Sequence, residues 1–222
     1  MEELLQIIQR VAERSTQRIH TSELGVVTAV FSHADEGDND NYQCSVQLRN
    51  YSLPDGSPFE LRKVPVATPY LGLACIPNVG DLVVLSFIGG DINAPIIMGR
   101  VYNDEDRPPA NNPKEFLLQH SIAEGGSLLL DSEGKIILTS KNGENTITLE
   151  DEKIAISNEK FSLVIDLAGE KISLSSNKDL SLIAETGKLT VQANAIELKS
   201  DSTLDLQASG AIKIKGSTID LN

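Results

Sequence analysis

The sequence predicts an all-β protein in three parts: an N-terminal helix, an OB-like five-stranded barrel, and a C-terminal triple-stranded intertwined β-helix formed as a homotrimer. Three observations predict it. From about Leu128 to Asn222 the chain runs through apolar-x-apolar pairs roughly every eight residues. Residues 24–103 hold five short runs rich in Val, Ile and aromatics, separated by turn signals. The composition also changes near residue 107, beyond which every Lys or Arg is lysine, and all 9 prolines lie between Pro54 and Pro113. The expected divisions are a helix at 1–20, a barrel at 21–105, a linker at 106–116 and the repeat at 117–222.

Leu4, Leu5, Ile7, Ile8 and Val11 lie on one helical face, with Glu2, Glu3, Gln9, Arg10, Glu13 and Arg14 mostly opposite. Two roles suit such a helix: packing on its own domain, or docking and trimerising. In the barrel the expected strands are LGVVTAVF, YQCSVQLR, KVPVAT, DLVVLSFI and PIIMGRVY. DEGDNDN (Asp35–Asn41) reads as a polar hairpin loop and PDGSP as a turn. Gly89-Gly90-Asp91 reads as a tight turn, with contact to a partner protein as the lesser reading of Asp91. DEDRPPANNPKEF has the content of an extended linker.

In the repeat, pairs start near 128, 136, 147, 154, 163, 172, 180, 189, 196, 204, 212 and 219. The clearest are Leu180/Leu182, Leu189/Val191, Ile196/Leu198, Leu204/Leu206, Ile212/Ile214 and Ile219/Leu221. NGENT and LAGEK read as longer turns. An apolar-polar-apolar triplet marks a strand with one dry face. Short strands with one-sided apolar stripes cannot close a core alone, so three chains winding into a prism is the economical solution. Each face would then stack strands from the three chains in turn, with the apolar pairs filling the axis. About eleven strands at ~4.7 Å spacing give a prism on the order of 50 Å long.

Several function classes fall away. The net charge is −13 with no long basic run, which argues against nucleic-acid binding. Cys44 and Cys75 sit among apolar neighbours without metal-like spacing and read as small buried hydrophobes. His20, His33 and His120 form no catalytic or metal-binding cluster. Glu150-Asp151-Glu152 reads as a solvated turn rather than a glycosidase pair, and the Gly125-Gly126 turn and the serine-rich turns lack a catalytic context. No catalytic, cofactor or metal site is expected. MEELLQIIQR lacks a signal-peptide core, and no apolar run is long enough to span a membrane, so synthesis in the cytoplasm without a signal peptide is expected.

The segment Pro77–Asn103, PNVGDLVVLSFIGGDINAPIIMGRVYN, resembles the signature of the central spike proteins of contractile tails: the phage baseplate assembly protein V family, the type VI secretion spike and the spike of extracellular contractile injection systems. The matching residues are Pro77, Gly80, Asp81, Gly89, Gly90, Asp91, Pro95, Gly99, Arg100 and Asn103. The order of helix, barrel, linker and octad repeat is also similar. The resemblance implies a non-enzymatic homotrimeric spike in a phage tail or tail-like particle. Its barrel would dock on the tail hub and its prism would pierce the target envelope. The linker leaves no room for a lysozyme domain, and the His-x-His metal motif of some short spikes is missing. A separate PAAR-type tip protein is therefore the implied cap. A trimeric adhesive fibre is the alternative reading, although residues 123–222 hold only Phe161 as an aromatic. A β-helix enzyme would need a carboxylate groove, and none is visible.

Overall fold

A computed structural model of the chain describes Gln6 and residues 22–220. Apart from Gln6, the helix expected over 2–19 lies outside the described residues, as does Leu221. The chain divides into two compact units, Met1–Leu174 and Ser175–Asn222.

The first unit holds two sheets. β1 (Ser22–Phe31), β2 (Gln43–Ser52), β3 (Pro58–Pro65), β4 (Leu82–Phe87) and β5 (Pro95–Arg100) form a curled five-stranded sheet in the order β3-β2-β1-β4-β5. A parallel bridge between Val66 and Ile97 draws its two ends together, with Ala67 N donating to Ile97 O at 2.8 Å. Period-2 alternation puts Val27, Val46, Leu48, Val83, Leu85 and Ile97 on the inner face, where they are nearly inaccessible. Gly25 sits among them because a Cβ there would lie 2.3 Å from Val46 Cγ1. Cys44 is buried as expected. Cys75 is exposed, which corrects the reading of it as a buried hydrophobe.

The third strand is earlier than KVPVAT suggests. The turn at Leu53–Ser57 leads straight into Pro58, and Phe59 and Leu61 pack against the core. The register then shifts between Leu61 and Val64, and Lys63 takes a positive φ of 50°. Lys63 is held there by an ion pair to Asp40 at 2.9 Å and by the Phe31 ring, 4.8 Å away.

The second sheet contains β6 (Phe116–Gln119), β7 (Ser127–Leu130), β8 (Ile136–Thr139), β9 (Thr146–Glu150), β10 (Lys153–Ser157), β11 (Phe161–Asp166) and β12 (Lys171–Ser176), in sequence order. β6 to β11 pair antiparallel, each with the next. This corrects the expectation that ladder bonds throughout the repeat join different chains. The connections explain the difference. Asp151-Glu152 is a two-residue hairpin loop, Gly134 and Gly143 take positive φ, and Asp131, Asn142 and Asn158 each accept from nearby backbone N–H groups. Such turns return the chain beside itself. Phe116, expected at the linker's end, opens β6.

In the second unit no residue among those described beyond Ser176 belongs to a strand. The side chains expected to fill a core there are all exposed in the single chain: Leu180, Leu182, Leu189, Val191, Ile196, Leu198, Leu204, Leu206, Ile212, Ile214 and Ile219. Val191 is 66% and Ile214 63% accessible in the single chain. The physical reason is that a one-sided apolar pair becomes dry only when another layer lies against it, and this stretch of the chain provides none among its described residues.

Candidate functional site

The signature residues build a brace at one end of the barrel. Gly80, with φ 97°, donates its N–H to Val27 O at 2.9 Å, and Val27 N donates to Asp81 O at 3.0 Å. The Asp81 carboxylate accepts from Asn78 N at 2.8 Å and from Arg100 Nε at 2.8 Å. Arg100 also donates to Cys75 Sγ at 3.4 Å, to Cys75 O at 3.0 Å and to Ile76 O. One guanidinium thus fastens the 75–81 loop to β5, and four of its five N–H groups are used. Pro77, within this loop, is buried.

The other signature residues shape turns. Ile88–Gly90 is a short 3₁₀ turn, with Gly89 at φ 61° and Gly90 at φ 75°. Asp91 Oδ1 accepts from Asn93 N at 2.9 Å and Asn93 Nδ2 at 3.0 Å, so its carboxylate closes the turn. Pro95 opens β5, a position where no ladder donor is lost. Gly99 has open space where a Cβ would stand. Asn103 Oδ1 accepts from Glu105 N and Asp106 N, each at 2.7 Å. Beside the brace lies a cleft of about 750 Å³, walled by Leu82, Val101, Leu117 and Leu118. Its nearest cation, Arg100, is already engaged. Among the described residues no group of three or more His, Cys, Asp or Glu is placed to hold a metal ion.

The hairpin loop after β1 is ordered around Asp38. Its carboxylate accepts from Ala34 N at 2.6 Å and Asp40 N at 3.0 Å, and lies 2.8 Å from His33 Nδ1. The His33 contact, then the backbone bonds, lower its pKa to about 2. A depressed carboxylate stabilises the loop above the unfolded value near 3.8, and that contribution fades as pH falls towards 2. An NMR titration of the Asp38 carboxyl carbon should show a midpoint near 2, moving towards 3.8 in His33→Ala. An unperturbed midpoint in the parent would remove His33 as the organiser.

The second sheet has two unlike faces. One carries two unbroken apolar rows. Phe116, Leu130, Ile136, Leu149, Ile154 and Ile165 lie side by side across six strands, as do Leu118, Leu128, Leu138, Ile147, Ile156 and Leu163. No charge interrupts either row, yet Phe116 is 57% and Leu118 59% accessible. The opposite face has one mixed row, Leu117, Leu129, Ile137, Thr148, Ala155 and Val164. A polar row of Gln119, Ser127, Thr139, Thr146, Ser157 and Ser162 flanks it. On its other side the charges alternate: Lys135 Nζ is 2.6 Å from Glu150, and Lys153 stands between Glu150 and Asp166. The Lys135 contact holds the Glu150 pKa below the usual carboxylate range.

The sequence reading found ten of the twelve row residues through their pairs. It missed Phe116 and Leu118, whose own apolar-x-apolar spacing was the available signal. It also missed that one arginine reaches Cys75, Ile76 and Asp81 together.

Residues 35–102 match the family described as the Type VI secretion system/phage-baseplate injector OB domain. The matched stretch runs from the β1–β2 loop to the end of the brace, in a curled five-stranded sheet consistent with an OB-like domain. That family is one of structural baseplate domains, and a baseplate-related structural role follows for this part of the chain.

Proposed function

We propose that the chain is the central spike of a contractile injection machine. Three copies associate through the apolar pairs beyond the linker. The barrel, residues 21–105, docks on the tail hub, and residues 117–222 form a needle that is driven through the target envelope. A PAAR-type tip protein caps the needle, and the assembly belongs to a phage tail or tail-like particle. The protein performs no catalysis, because the work comes from sheath contraction and the spike has only to remain stiff.

The observation that carries this reading is the family match over the barrel, followed in the same chain by apolar pairs that lack a cover. Large contiguous apolar surfaces on soluble proteins mark association sites. Beyond Ser176 no described residue belongs to a strand, so no ladder of its own chain covers the apolar pairs there. Copies of the same chain supply both backbone partners and matching side chains. Sedimentation equilibrium should return about three times the 24.0 kDa chain mass. A 24.0 kDa species at micromolar concentration would refute the trimeric needle. Capture of the trimer by purified hub protein through the barrel tests the docking assignment.

A further inference from the structure

We propose that residues 2–19 fold back as an amphipathic helix and cover the outer face of β1, β4 and β5. The cover comes from the same chain, whatever the number of copies that associate.

Alternation gives the barrel sheet a second face. Val27, Val83, Leu85 and Ile97 point into the core, so Leu24 and Val26 on β1, Val84 on β4, and Ile96 and Met98 on β5 point outward. None of these five belongs to the barrel core, and Leu24 is 37% and Met98 56% accessible. The strands bring them side by side. Leu24 stands opposite Val84, Ile96 opposite Ser86, and Met98 at the irregularity in β5 that faces Val84 and Leu85. On β2 the face turns polar, because Gln47 stands opposite Val26. The apolar area is therefore three strands wide, about 10 Å between the outer two. One α-helix with its side chains is about 10–12 Å across, so a single helix fits where another sheet would overhang onto polar ground.

The chain supplies such a helix where this face begins. Ser22 opens β1 opposite Ser86, at one end of the face. The stripe of Leu4, Leu5, Ile7, Ile8 and Val11 lies just before it in sequence, outside the described residues. Gln6, the described residue within that stretch, is helical and exposed, and at ~100° per residue it falls opposite the centre of the stripe. His20 and Thr21 are the only residues between position 19 and β1. Three peptide steps reach about 10 Å, enough to pass from one layer to the next but too short to carry the helix away from β1. A helix over 2–19 would be about 27 Å long and would span the roughly 20 Å of β4. Stripe and face are both uncharged, and the Glu and Arg residues of the segment lie mostly on its other side.

Oxidation of Met98 by hydrogen peroxide reads the cover directly, since a thioether becomes a sulfoxide in step with its exposure. In the full-length parent Met98 should oxidise about tenfold more slowly than free methionine, at every protein concentration. Val11→Glu, which places a charge within the stripe, should bring Met98 to within about twofold of the free rate while amide exchange of β2 stays parental. Gln6→Glu, on the opposite side, should keep the protection. Nuclear Overhauser contacts between the Met98 methyl and the methyls of Leu4–Val11 in the parent provide a second measure, and their absence would count against the helix. A parent whose Met98 oxidises at the free rate, or a Val11→Glu chain that stays protected, would overturn the proposal. Protection lost on dilution would assign the cover to a second copy and overturn it as well. A monomeric parent with a shielded Met98 would sink the trimeric needle and still support this helix.

Discussion

Gly25→Val should destabilise the barrel by about 3 kcal/mol, the upper range for forcing volume into a packed core. The inner face at β1 has no slack. A Cβ at Gly25 would meet Val46 Cγ1 at 2.3 Å, Gln47 O at 3.0 Å and Leu85 Cδ1 at 3.1 Å. Val46 and Leu85 are fully buried and Gln47 O is backbone, so none can yield without moving β2 or β4. A domain of roughly 80 residues holds on the order of 4–12 kcal/mol in total, so one such change consumes much of it. Urea unfolding at fixed protein concentration measures the effect, since association would otherwise shift the midpoint. Gly99→Ala is the control. Nothing stands within 4 Å of its Cβ position, and a change of more than about 0.5 kcal/mol there would undermine the steric argument.

Arg100→Ala should cost about 2 kcal/mol and loosen residues 75–81. The guanidinium is about a third exposed, so the ion pair with Asp81 is partly screened, and the larger share comes from carbonyls left without a donor. Cys75 O and Ile76 O both lose Arg100, although Asp81 keeps Asn78 N. Lysine has a single ammonium and cannot span three directions at once, so Arg100→Lys should recover less than half of the loss. Amide exchange over 75–81 should accelerate at least tenfold in Arg100→Ala while β2 stays protected. Equal acceleration in both would mean global unfolding and would deny the brace a local role.

How far the sequence reveals this molecule depends on the range of the interaction concerned. Strand positions were legible because alternation is local; four of the five expected barrel strands coincide with β1, β2, β4 and β5. β3 was displaced because the Lys63 irregularity disguises its period, and because Pro58 and Glu60 obscure the Phe59–Leu61 alternation. The turns at PDGSP and GGD were legible from residues that favour special backbone angles. The pairing of β6–β12 within one chain was not. An apolar pair states that a strand has a dry face but is silent on which chain lies beside it. The same silence covers Leu189/Val191 and Ile212/Ile214, whose spacing names a face without naming what covers it. Phe116 was hidden by the Pro- and Asn-rich residues before it. The role of Arg100 depends on the loop's path in space, which no spacing of 19 residues from Asp81 discloses.

A sheet whose seven strands follow one another in sequence has a mechanical asymmetry. Its hydrogen bonds run along the direction in which the strands stack, ~4.7 Å apart. Pulling in that direction opens one rung at a time, because each hairpin must rupture only its own few bonds. Pushing instead presses every backbone onto its neighbour and loads all the rungs together. Such a stack bears compression far better than tension, and it would withstand a thrust more readily than a withdrawal.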